Sequence, residues 1–152
     1  MTEHTKDTTT LNTLIGTLLD SVEGYRTSAG DVQQGDLAAR FTARANEREA
    51  AVRALQAAVG AQGGNPEDDG TTLGSIHRAF LGLKEAVTGR DDQAILNEVE
   101  RGEDYLKGKF EAALGMDDLG AETRSAIGAA WDSVKTGHDE MSALKHGMDA
   151  AD

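Results

Sequence analysis

The chain has 152 residues, with 27 acidic and 15 basic side chains, no cysteine, one proline and 18 glycines. That length suits one domain around a single core, and the absence of cysteine excludes disulfides, thiolate metal sites and cysteine nucleophiles. A net charge of −12 argues against nucleic acid as a partner, since phosphate binding needs clustered Lys and Arg. It argues equally against anionic lipid surfaces, and no apolar run approaches the ~18 residues of a membrane span.

Residues 1–9 are polar and Thr-rich and read as a disordered tail ending in a helix cap from Thr8, Thr9 or Thr10. They lack the basic and apolar regions of a signal peptide, so a cytoplasmic protein is expected. A first helix follows over about 11–31, where Leu11, Leu14, Leu18, Val22, Tyr25 and Ala29 keep steps of three and four, the mark of one buried stripe. A short turn leads to a second helix, about 36–62, with Leu37, Phe41, Val52, Leu55 and Val59 on one face. Gly63-Gly64-Asn65-Pro66-Glu67-Asp68-Asp69-Gly70 is the one clear loop. A shorter amphipathic segment, 72–88, carries Leu73, Ile76, Phe80, Leu83 and Val87. The third long helix covers about 91–114, with Ile95, Val99, Leu106, Phe110 and Ala113 inward, and the fourth about 121–147, with Ile127, Trp131, Val134, Met141 and Leu144.

The pattern predicts an all-α fold over 10–148, with 149–152 a frayed C-terminus. Two short turns make each helix pair antiparallel, and the roughly thirty-residue middle connection is long enough to cross the bundle. That is a ferritin-like four-helix bundle with a short extra helix in its long crossover. Six glycines (16, 24, 102, 108, 128 and 137) interrupt the predicted helices; close helix approach is the reading for Gly102 and Gly137 at the stripe edges.

Bundles of this shape often work through inward polar side chains. A di-iron bundle takes one Glu from each of two helices and a Glu-x-x-His pair from each of the other two, because i and i+3 share a face. The first helix offers no such Glu, since Asp20 and Glu23 fall off its stripe and are expected in solvent. The second has no histidine. The inward positions are Tyr25, Arg48, Glu103 and His138, one per long helix. A buried guanidinium demands a partner, so these four form an expected core polar network, with Arg48 and Glu103 paired through two prongs and Tyr25 and His138 completing the hydrogen bonds. The rival is a metal site for iron, manganese or zinc built from Glu98, Glu100, Glu103 and His138, opposed by the Arg48 charge. No catalytic residue emerges: there is no serine elbow, no phosphate loop and no EF-hand spacing.

Leu11-Asn12-x-Leu14-Ile15, Gly24-Tyr25, Gly63-Gly64-x-Pro66, His77-Arg78 and Glu98-x-Glu100-Arg101-Gly102-Glu103-Asp104 followed by His138 resemble a bacterial family of ferritin-like four-helix-bundle proteins of unknown function. The likeness covers about 10–146. It implies the ferritin-like bundle and a bacterial protein without an activity to carry over, and through that kinship a stress-associated or accessory role. Against the wider superfamily the chain lacks the first-helix glutamate and both Glu-x-x-His pairs, which counts against iron oxidation and storage. Phe80 stands where a Trp is expected after the His-Arg pair. The resulting expectation is a non-catalytic bundle without a cofactor, acting through its surface or as a homodimer or with another protein partner. The alanines of the second helix (Ala38, Ala39, Ala50, Ala57) are its candidate contact face.

Overall fold

A computed structural model describes residues 2–68 and 92–151, with side chains over 6–68 and 92–147. The described residues form four helices and no strand: α1 (Thr2–Asp31), α2 (Gly35–Ala61), α3 (Asp92–Leu114) and α4 (Ala121–Ala151). The expected short helix at 72–88, with His77, Arg78 and Phe80, lies outside the described residues.

Each of α1 and α4 packs against both α2 and α3, so α2 and α3 face each other across one diagonal of the bundle and α1 and α4 across the other. Side-chain bonds fix the directions. Asp7, early in α1, accepts from the Gly120 amide at 3.0 Å at the start of α4. Asp92, opening α3, accepts from the Gln33 and Gln34 amides at 2.8 and 2.9 Å, at the turn between α1 and α2. The helices therefore run up, down, down, up, and the connection from Ala61 to Asp92 joins opposite ends of the bundle.

The first helix begins at Thr2, six to eight residues ahead of the expected cap. Asp7 is the reason: it is 6 % exposed, and besides Gly120 its carboxylate accepts from the Thr123 hydroxyl at 2.8 Å. A carboxylate there meets the unpaired amides and positive end of α4. Gln62 joins the same group by donating to Thr123 at 2.7 Å. Threonine is a poor helix former, and here Thr13 and Thr17 bond back to the carbonyls of Thr9 and Thr13, both at 3.0 Å. At the other end of the chain α4 continues to Ala151, through all but the last residue of the expected fray.

The Gly63-Gly64-x-Pro66 motif ends α2. Gly63 adopts φ +81°, and the Gly63 and Gly64 amides return to the carbonyls of Gly60 and Val59, both at 3.0 Å, which is the Schellman arrangement. Gly64 is bare for a different reason, since a Cβ there would sit 2.9 Å from the Thr8 methyl and 3.0 Å from Val59. The chain then turns back along α1, where Asn12 donates to the Asn65 carbonyl at 3.0 Å and accepts from the Glu67 amide at 2.8 Å. Arg124 closes the C-terminal end of α3 by donating to the carbonyls of Leu114, at 2.9 Å, and Met116.

The apolar core is in two clusters. One gathers Leu11, Leu14, Ile15 and Leu18 with Val52, Leu55, Val59, Leu106, Phe110, Ile127 and Val134. The other holds Val22, Tyr25, Leu37, Phe41, Ile95, Leu96, Val99 and Met141. α1 is buried on more than its one expected stripe: Gly16, Thr17, Asp20 and Gly24 are buried too. Asp20, expected in solvent, is 5 % exposed; a single-stripe reading assumes that only one face of α1 is covered. Glu23 is exposed.

Candidate functional site

Between the two apolar clusters lies one polar layer to which each helix contributes a residue: Ser21, Arg48, Glu103 and Gly137. Arg48 is fully buried and Glu103 is 2 % exposed. The guanidinium reaches across the diagonal from α2 to α3 and grips both carboxylate oxygens, Nη1 to Oε1 at 2.8 Å and Nη2 to Oε2 at 2.5 Å. Nη1 also donates to Ser21 Oγ at 2.7 Å. Burial works against the Arg48 charge, and the Glu103 carboxylate more than offsets it, holding the guanidinium above its ordinary range. Two parallel charge-assisted bonds supply both the energy and a fixed orientation.

Gly137 makes room for this pair. A Cβ there would lie 2.3 Å from Arg48 Nη2 and 2.8 Å from Glu103 Oε2, so the backbone of α4 passes directly over the charges. Gly102, its expected companion, has nothing within 4 Å of such a Cβ and is not a site of close approach.

Of the four residues expected in the network, Tyr25 meets the pair through its ring and His138 stands elsewhere. Tyr25 is beside the pair: its ring lies under the guanidinium, 5.7 Å from centroid to Cζ, and its buried hydroxyl makes no well-formed hydrogen bond. Burial, then the nearby Glu103 charge, push the phenol well above its usual range. The ring also tilts against Phe41 at 5.8 Å. The polar partner is Ser21, one turn earlier on α1. His138 is outside the layer at the bundle's flank, where Nε2 lies 2.6 Å from Asp104 Oδ1. The inward face of α4 runs through Ile127, Ala130, Val134, Gly137 and Met141, which turns His138 and Trp131 to its edge. Ala130 and Gly137 carry almost no hydropathy signal, so the sequence pattern drew the stripe toward the larger Trp131.

The four residues of the expected metal site are also divided. Glu103 is committed to Arg48, and Glu98 pairs with Arg101 at 3.2 Å. Glu100 and His138 do come together, and their third neighbour is Asp104, the last residue of the Glu98-x-Glu100-Arg101-Gly102-Glu103-Asp104 run. Its signal was available: Glu100 and Asp104 are four apart and so share a face of α3.

The outer α2–α4 groove carries a second ionic group. Arg44 spans Glu140 and Glu47, both at 2.6 Å, Arg40 reaches Glu140 at 3.1 Å, and Ser133 donates to Glu47 at 2.6 Å. Burial opposes the Glu47 charge, but the Ser133 hydroxyl and Arg44 hold its carboxyl below the usual range. These charges satisfy one another and clamp the helices.

The described residues thus form four helices around a centre closed by a buried ion pair, and no described helix is long and apolar enough to cross a membrane. The chain belongs to the family described as Domain of unknown function (DUF2383), whose sequence pattern matches residues 6–116. That span takes in Asp7, Arg48, Asp92 and Glu103. A comparison with curated proteins finds no match.

Proposed function

We propose that the chain is a ferritin-like bundle with no metal chemistry at its centre: a non-catalytic, bacterial, cytoplasmic protein in a stress-associated or accessory role, acting through its surface or self-association. The single observation that carries this reading is Arg48, whose cation fills the middle of the core and occupies both oxygens of Glu103. A di-metal centre would need inward carboxylates and Glu-x-x-His pairs; the layer instead offers a hydroxyl, an ion pair and a bare glycine. A fixed positive charge repels a divalent cation at short range. The ferritin-like part of the reading is supported by the up-down-down-up course of the helices and the one connection between opposite ends.

For self-association, Ala39, Ala50 and Ala57 are exposed on α2 and Ala38 is half-buried, leaving a face of small side chains open to a second helix. The test is aerobic addition of iron(II) to the chain together with light scattering. The reading predicts iron oxidation no faster than in buffer, no oxo-bridged di-iron absorbance, and a dimer whose mass falls when Ala39 and Ala50 are replaced by Glu. Protein-dependent oxidation of two irons per chain would overturn the closed core, and a monomer at high concentration would remove the self-association half.

A further inference from the structure

We propose that the α3–α4 flank holds a divalent transition-metal site made by Glu100, Asp104 and His138. Each of the three offers one ligand atom, and these atoms lie within 4.8 Å of one another. Glu100 and Asp104 come from successive turns of α3, and His138 faces them from α4, so both arms are set by rigid helix backbone rather than by loops. The Glu100 and His138 side chains are each only 15 % exposed, while Asp104 is 57 % exposed. The site is therefore walled on the bundle side and open to solvent on the other, which is the arrangement that leaves a coordination position for water.

The donor set selects the ion. One imidazole nitrogen with two carboxylates is poorly matched to magnesium or calcium, which take oxygen throughout, and suits zinc, manganese or iron(II). His138 Nε2 and Asp104 Oδ1 now share a contact at 2.6 Å. A metal with bonds of about 2.0–2.2 Å would hold two ligand atoms about 3.4 Å apart in tetrahedral geometry, and the exposed Asp104 is the arm free to move outward to that separation. Behind the imidazole, Nδ1 lies 3.4 Å from Asp139 Oδ1, a carboxylate placed where metal-bound histidines take their orienting partner. Asp139 is in turn 3.1 Å from Lys135. One cation competes for the site: Lys145 Nζ lies 3.6 Å from Glu100 Oε1. Its side chain is 33 % exposed, so the ammonium can withdraw to solvent when a metal enters.

This site is separate from the core pair, since it uses neither Arg48 nor Glu103, and its failure would leave the closed-core reading standing. The experiment is calorimetric titration of the full, untagged, chelator-stripped chain with zinc chloride, paired with a cobalt(II) titration read by visible absorption. The expected result is one equivalent of zinc, a cobalt d–d band, and affinity lowered at least tenfold by His138→Ala and by Asp104→Asn. Lys145→Met should tighten binding several-fold, while His146→Ala leaves it unchanged. Asp104→Asn is exposed and isosteric, so it reports on the site even if the histidine variant misfolds. No saturable binding, or equal affinity in the wild-type chain and Asp104→Asn, overturns the proposal.

Discussion

Gly137 carries two opposed demands. In a helix interior, glycine is worth about 0.5–1 kcal/mol less than alanine, yet a Cβ at this position would press to 2.3 Å from a fully buried guanidinium held by two bonds. The guanidinium can yield only by breaking its grip on Glu103. Gly137→Ala is therefore expected to destabilise the chain by about 1–3 kcal/mol, and Gly108→Ala and Gly128→Ala, where nothing lies within 4 Å, to stabilise it by about 0.5–1 kcal/mol. Urea unfolding of the three variants reads this directly; three shifts of the same sign would mean that α4 does not pass over the ion pair. Arg48 and Glu103 were legible in the sequence because a long charged side chain at the centre of an apolar stripe has no bland place to go. Ser21 and Gly137 were not, because a small side chain looks the same to a hydropathy pattern whether it faces in or out.

At the level of the element, two aspartates from the starts of helices lock the turns of the opposite hairpin. Asp7 of α1 binds the turn into α4, and Asp92 of α3 binds the turn between α1 and α2. Neither turn has a side-chain cap of its own: Gln34 makes none at α2, and Gly120 has no side chain to offer α4. Hydrogen bonds to a charged acceptor are worth about 1.5–3 kcal/mol, so Asp7→Ala and Asp92→Ala should each lower the thermal midpoint by several degrees, at roughly 2–4 °C per kcal/mol for a chain of this size. Removal of residues 2–9 should cost at least as much as Asp7→Ala, and an unchanged midpoint would restore the reading of that segment as a disordered tail. The first nine residues looked like a tail because their composition is polar and their helix propensity low. What ties the described part of that segment down is the bonding of Asp7 to Gly120 and Thr123, which no local window contains. The helix periods, the turns and the Gly63-Gly64 stop were visible for the converse reason, since their causes lie within a few residues of one another.

For the molecule as a whole, the four helices close around a charged layer with an apolar cluster on either side. Such a layer fixes register, because sliding one helix by a turn would place Arg48 against hydrocarbon and strand Glu103, and an orphaned buried charge is far more costly than a lost apolar contact. The chain's −12 charge is carried mostly by its surface, and the Arg48–Glu103 layer at its centre is balanced. The direct test of this account is a double-mutant cycle on the pair, measured by urea unfolding. Arg48→Met alone and Glu103→Leu alone should each cost about 3–5 kcal/mol, while the double substitution should be near neutral or stabilising, giving a coupling of several kcal/mol. Single and double variants whose effects simply add would contradict a core organised by the Arg48–Glu103 pair.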